Sequence, residues 1–230
     1  LLDDVSDNFG LLALQGPRAL EIFQAASGAD LSGVKRFHFV QDHFMGTAAL
    51  VSRTGYTGED GLELYLPSDE TARVANRIYE VGKAHGLRLA GLGARDSLRL
   101  EAGYPLYGHE ISQEIDPLTG GLGWVVKCCK AVDFIGKGVL QQKKEAGLAR
   151  RVAFFVLQDR RIARPGTIVV DAGGQPRGRV LSGTQSPMLE RPIGSALVEA
   201  GALSRVEPLY VEIRGNRLPL EFRKPPLWKA

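Results

Sequence analysis

Cysteine is almost absent from this chain: the only two, Cys128 and Cys129, are neighbours in a sequence of 230 residues. No disulfide framework can be built from them, and a reducing compartment is expected. Long hydrophobic runs are missing as well. None approaches the roughly 20 residues of a membrane span, and no basic-then-apolar leader opens the chain, so a soluble protein with no membrane partner is expected. His38, His43, His85 and His109 show no metal-ligand spacing. Gln113 stands where an H-E-x-x-H motif after His109-Glu110 would need its second His, and no metal is expected. A nucleophile elbow, a phosphate-binding P-loop and a dinucleotide fingerprint are all lacking, which removes support for acyl transfer, nucleoside-triphosphate chemistry and a Rossmann reading. Charge of one sign is also lacking overall: 29 Lys and Arg against 26 Asp and Glu leave +3, too little to argue for nucleic acid.

What is present is ordinary globular composition, 44% hydrophobic and 24% charged, with 28 Gly and 12 Pro pointing to many turns and short strands. The charge is divided unevenly. Residues 149–230 carry 14 basic against 7 acidic side chains, or +7, and residues 1–148 carry 15 against 19, or −4. The asymmetry suggests a boundary at 148/149 and an anionic partner for the basic part; a merely solvated basic surface fits equally.

The hydrophobic pattern changes at the same place. Before it, Leu11–Leu14, Thr47–Ser52 and Gly61–Leu66 read as strands. Val34–Phe44 alternates like another, with Phe37 and Phe39 on one face, and Leu87–Leu92 reads as a short fifth. Helices are expected over Leu20–Ala26, from an N-cap at Ser68 along Val74, Ile78 and Val81, over Ala94–Ala102, and from Asp133 to Ala146 with Lys137, Lys143 and Lys144 in solvent. After it, short apolar runs recur at Val152–Leu157, Thr167–Val170, Arg179–Leu181, Ile193–Val198, Leu209–Ile213 and Leu218–Phe222, separated by Gly, Pro and Asn turns. That rhythm predicts an all-β barrel or sandwich of about 80 residues. The fold class is therefore α+β, with an α+β part at 1–148 and a C-terminal β-barrel at 149–230.

Two stretches carry candidate chemistry. Gly55–Tyr65 packs Gly55, Gly58 and Gly61 into seven residues, which permits close approach of a ligand to the backbone. Glu63 then interrupts an apolar strand on the same face as Gly61 and Tyr65. A carboxylate there needs a partner: a ligand with adjacent N–H donors, an internal ion pair, or water at an edge strand. Gly93–Glu101 sets Arg95 and Arg99 four apart on one helix face. Arg95 lies in the first helical turn, where a cation gains nothing from the helix dipole, so a carboxylate partner is expected for it.

Several motifs resemble the aminomethyltransferase family, the T-protein of the glycine cleavage system. They are Leu12-Ala13-Leu14-Gln15-Gly16-Pro17, Gly55–Glu63, Gly91–Gly103, Tyr107-Gly108-His109-Glu110, Gly121–Lys127, Asp133–Lys137 and Ser182–Pro187, in family order along nearly the whole chain. The resemblance implies a cloverleaf around a folate channel that ends in a β-barrel. It implies transfer of an aminomethyl carbon from the lipoyl arm of the H-protein to tetrahydrofolate, with release of ammonia, in the bacterial cytoplasm or the mitochondrial matrix. It assigns Glu63 to the pterin edge, Arg95 to substrate contact, and Tyr56 and Trp228 to the folate site, with Trp228 in place of the family's tyrosine. It also implies that a catalytic aspartate lies upstream of Leu1. Asp3-Asp4 imitates its context but stands too near Gln15-Gly16-Pro17, so no catalytic residue is assigned within the chain, and these 230 residues alone are expected to be inactive. Alternatives within the resemblance are a folate-dependent demethylase of another one-carbon donor and a non-catalytic folate-binding relative.

Overall fold

The computed structural model describes residues 2–204 and 207–228. They form two compact units, one up to Arg95 and the other from Asp96.

The first unit is a four-stranded antiparallel sheet with two helices on one face. The strands are β1 (Phe9–Gln15), β2 (Phe39–Phe44), β3 (Thr47–Ser52) and β4 (Gly61–Pro67), in the order β1-β4-β3-β2. Helices α1 (Ala19–Ser27) and α2 (Thr71–Gly82) supply Ile22, Phe23, Ala26, Val74 and Ile78 to a core shared with Leu14, Val51, Leu62, Leu64 and Leu66. Alternation in β4 is what builds this layer. Leu62, Leu64 and Leu66 point into the core, so Glu63 and Tyr65 must point to the opposite face. The pterin-edge candidate therefore stands on the side of the sheet that these helices leave open.

Several sequence expectations change here. The alternating run Val34–Phe44 yields a strand only from Phe39. Lys35–His38 turns instead, with Phe37 at φ 66°, its N–H on the Arg53 carbonyl and its ring 80% exposed. Alternation there reports no buried face, because the Arg53 guanidinium draws the Ser32 and Val34 carbonyls into a loop. Ser68 makes no capping bond. Ser68–Glu70 is a 3₁₀ turn leading into α2, and Thr71 Oγ1 donates to the Pro67 carbonyl. Leu87–Leu92 forms no strand; Leu89 and Leu92 are exposed, and helix α3 begins at Leu92 and ends at Ala102, before Gly103 at φ 78°. At the start of the chain Leu1 lies outside the described residues. Asp4 accepts from the N–H and hydroxyl of Ser6, a local turn in solvent.

The second unit holds a closed six-stranded barrel, so the α+β reading with a C-terminal barrel is the observed architecture. Its strands are β5 (Arg150–Leu157), β6 (Ile168–Val170), β7 (Pro176–Ser186), β8 (Arg191–Glu199), β9 (Tyr210–Ile213) and β10 (Asn216–Arg223), closing in the order β10-β5-β8-β7-β6-β9. The run read as Arg179–Leu181 is only the middle of an eleven-residue strand, because Ser182–Ser186 looks like a polar loop yet pairs along β8. Helix α4 (Lys137–Ala146) has Gly136 rather than Asp133 at its N-cap, and the Asp133 carboxylate only accepts the next N–H. Lys137 and Lys143 are not simply solvated: Lys137 donates to the Lys130 carbonyl and Lys143 pairs with Asp116. One short helix of four residues, α5 (Ala200–Leu203), follows β8. Among the described residues no helix is long and apolar enough to cross a membrane.

Burial removes two charged side chains of α3, Arg99 and Glu101, from solvent. Arg99 is 1% exposed and pairs with the fully buried Glu110, with Nη1 2.9 Å from Oε2. Arg99 also donates to Asp96, the Tyr104 carbonyl and Ser182 Oγ. Glu110 accepts from Leu106 N–H and from the Ser195 hydroxyl. Both charges are thus met by partners, as burial demands. Glu101 accepts from the Ser186 hydroxyl and Met188 N–H, so helix α3 is tied to β7 and the turn after it by polar bonds, while Leu100 clusters with Val156 of β5 and Ile193 of β8.

Two outcomes follow for stability. R99M leaves Glu110 buried without its cation and should cost about 3–5 kcal/mol in chemical denaturation, whereas R99M/E110L should cost less than the single change. Asp116 gives a pH signature. Burial pushes its carboxyl up, but the Lys143 ammonium and the Thr119 N–H and hydroxyl outweigh that and hold it at about 2, below the ordinary 3.8. A group depressed in the folded state stabilises it above the unfolded value and loses that contribution as pH falls toward the folded one. D116N should therefore destabilise fully at neutral pH, progressively less below about pH 4, and hardly at all near pH 2, as read from urea midpoints across that range.

Candidate functional site

The loop between β3 and β4, residues 53–60, folds back over the open face of the sheet at Glu63. Its shape is set by the Gln15 side chain at the end of β1. Gln15 Nε2 donates to the Thr54 and Leu62 carbonyls at 3.1 Å each, and Oε1 faces the Thr57 hydroxyl at 3.4 Å. The two nearest glycines make room for this amide: a Cβ at Gly55 would lie 1.9 Å from Gln15 Oε1, and one at Gly61 2.5 Å from its Cδ. Gly58, at φ 84°, makes the loop's left-handed turn. The far side is fastened by the paired bonds of Arg53 to Asp60 at 3.0 and 2.5 Å. That guanidinium holds the Asp60 carboxyl below the usual range. Asp60 is thus committed to the loop and Glu59 is exposed.

Glu63 differs from both. It is half-buried, paired in register with Ala13 on one side and Ser52 on the other. Its Oε2 accepts the Thr54 hydroxyl, and Thr54 Oγ1 lies 2.6 Å from Ser52 Oγ. Among the described residues Glu63 has no cationic partner and its Oε1 accepts no hydrogen bond. The internal ion pair left open by the sequence is not formed. Three residues away on the loop from Arg53, the Tyr56 ring lies under the Arg95 guanidinium, 4.6 Å from centroid to Cζ, a stacking that favours a flat cationic–aromatic platform.

The structure thus brings Glu63, Tyr56 and Arg95 into the first unit. Trp228 belongs to the second, half-buried after the fully buried Leu227. Arg95 and Arg99 share a helix but not a role: Arg99 is consumed by carboxylates and Arg95 is exposed. Among the described residues no protein carboxylate pairs with Arg95, whose guanidinium lies over the Tyr56 ring instead. Gln15, Ser52 and Thr54 escaped the residue-level reading. Only the folded chain shows that Thr54 donates to Glu63, that Ser52 meets Thr54, and that Gln15 holds the carbonyls of Thr54 and Leu62 on either side. Among the described residues no group of three or more His, Cys, Asp or Glu side chains is placed to hold a metal.

Comparison with known proteins agrees with this architecture. Residues 1–130 match the family described as the GCVT N-terminal domain, and residues 150–229 the glycine cleavage T-protein C-terminal barrel domain. The aminomethyltransferase of Geobacillus sp. (strain WCH70) is 44% identical over 229 residues, covering 99% of this chain and 63% of that protein. That of Bacillus licheniformis is 45% identical over 227 residues, 98% of this chain and 62% of the relative. The chain therefore spans somewhat under two thirds of the length of these relatives. The crystal structure of the glycine cleavage system aminomethyltransferase T from Bartonella henselae superposes with a TM-score of 0.85 at 29% identity, over 95% of this chain and 59% of that one. On matched domains, relatives and fold together, this chain belongs to the glycine cleavage T-protein, or aminomethyltransferase, family.

Proposed function

We propose that the protein takes part in tetrahydrofolate-dependent aminomethyl transfer, moving the aminomethyl carbon from a lipoylated H-protein to tetrahydrofolate with release of ammonia. The bacterial relatives support a cytoplasmic setting. Membership of the family supports the reaction class, and one observation supports the folate role: a half-buried glutamate with no cation and an open Oε1, held at the foot of a glycine-built loop. A pterin offers an N–H and an exocyclic amino group side by side. A carboxylate receives such a pair through two parallel, charge-assisted bonds. Of the roughly four lone-pair positions of a carboxylate, Thr54 takes one, so both oxygens of Glu63 can still accept. Tyr56 and Arg95 supply a flat aromatic face and a fixed positive charge, suited to a conjugated ring bearing an anionic tail. Trp228 is proposed as a folate-contacting residue on the strength of the family resemblance alone.

The chain's own residues bind and orient in this reading. The carbon transfer itself needs a carboxylate at the reacting nitrogens, and Glu59, Asp60 and Asp4 are each placed in solvent or in a loop clasp. The basic C-terminal part suits an acidic carrier protein or a glutamate-bearing folate tail, an attraction that salt would weaken.

Substituting Glu63 tests the folate role directly. E63Q replaces an acceptor-only group by an amide that sets a donor against the ligand's donors. Charge-assisted bonds are worth about 1.5–3 kcal/mol, so tetrahydrofolate should bind roughly 10–100-fold more weakly by calorimetry, with the thermal midpoint unchanged. Equal affinity in parent and variant would remove Glu63 from the folate site.

A further inference from the structure

We propose that Ser52 and Thr54 are positioning residues for Glu63, forming a directed hydroxyl relay that fixes the carboxylate before a ligand arrives; the proposal rests on the reading of Glu63 as the acceptor of the pterin's donor pair. The directions follow from the inventory of protons. An ionised carboxylate only accepts, so the bond to Glu63 Oε2 must be donated by the Thr54 hydroxyl. That hydroxyl has one proton, so in the 2.6 Å contact between Ser52 and Thr54 the donor must be Ser52. The relay therefore runs one way, Ser52 to Thr54 to Glu63.

Each member is fixed independently. Ser52 sits in β3 directly opposite Glu63 in the ladder and is buried, although its row lies on the open face. Thr54 is held through its carbonyl by Gln15, and the same amide holds the Leu62 carbonyl beside Glu63. A glutamate free to rotate would have to surrender its side-chain freedom when a ligand binds. Here that ordering is completed by the fold, which is how preorganisation raises affinity. The relay also explains why a half-buried carboxylate with no cation is tolerated: its occupied oxygen receives a hydroxyl proton, and the chain of two hydroxyls strengthens that bond.

The test uses the full chain and tetrahydrofolate as titrant, with T54V, T54S, S52A, E63Q and T54V/E63Q. T54V should weaken binding about tenfold through loss of the preorganised rotamer. T54S, which keeps the hydroxyl, should bind like the parent, and S52A should fall between. In the E63Q background T54V should cost nothing further. A general structural role would not show that cancellation. T54V binding as tightly as the parent, or weakening E63Q by the same factor as it weakens the parent, overturns the relay. Should E63Q itself bind like the parent, the pterin reading fails, and the relay is decided by the Glu63 carboxylate carbon resonance. A resonance displaced in T54V and restored in T54S supports it; one unmoved in both overturns it.

Discussion

The Gln15 amide holds two carbonyls that belong to different parts of the chain, one in the loop after β3 and one in β4. Around that clasp the first unit becomes a site rather than a plain sheet. It requires glycine at positions 55 and 61, where any Cβ would enter the amide. Gly16, next in sequence and at φ 120°, sends its N–H to the Asp60 carbonyl, and Arg53 then locks Asp60 from the other side. Together these bonds determine the loop that carries Thr54 and Tyr56.

Three glutamates illustrate how surroundings, not residue type, decide what a carboxylate does. Glu110 is fully enclosed and meets a guanidinium, a backbone N–H and a hydroxyl; it holds the second unit together and has little left to offer. Glu101 is enclosed as well, and its Oε1 is bound to the Ser186 hydroxyl and the Met188 N–H. Glu63 receives a single hydroxyl and keeps an oxygen open. Only the last combines positional order and spare acceptor capacity with a side chain that is not enclosed, which is the physical requirement for a recognition group.

Five of the seven acidic side chains of residues 149–230 are paired with arginines of the same segment. Arg161 pairs with Asp159, Arg177 with Asp171 and Glu199, Arg217 with Glu212, and Arg223 with Glu221. Exposed pairs of this kind contribute little to stability, but they reduce the number of cations free to attract an anionic partner. The excess of +7 therefore resides on the other basic side chains of the segment.

The sequence by itself determined the kinds of elements and their order: period-two runs for β1, β3, β4 and the barrel strands, and period-3.6 stripes for α1, α2 and α3. It determined the opposed faces of β4, since alternation alone sets Glu63 against Leu62 and Leu64. It also marked Gly55–Glu63 as unusual, because glycine density and a lone carboxylate in an apolar strand are local facts. It misjudged Val34–His38, where the loop is imposed by Arg53 from across the chain, and Ser182–Ser186, where polar composition hides a strand paired along β8. Which arginine would be buried, which hydroxyls would reach Glu63 and where the Gln15 amide would point were decided only by tertiary structure. Those outcomes depend on register and on the satisfaction of buried polar groups between residues far apart in sequence, and no local pattern encodes them.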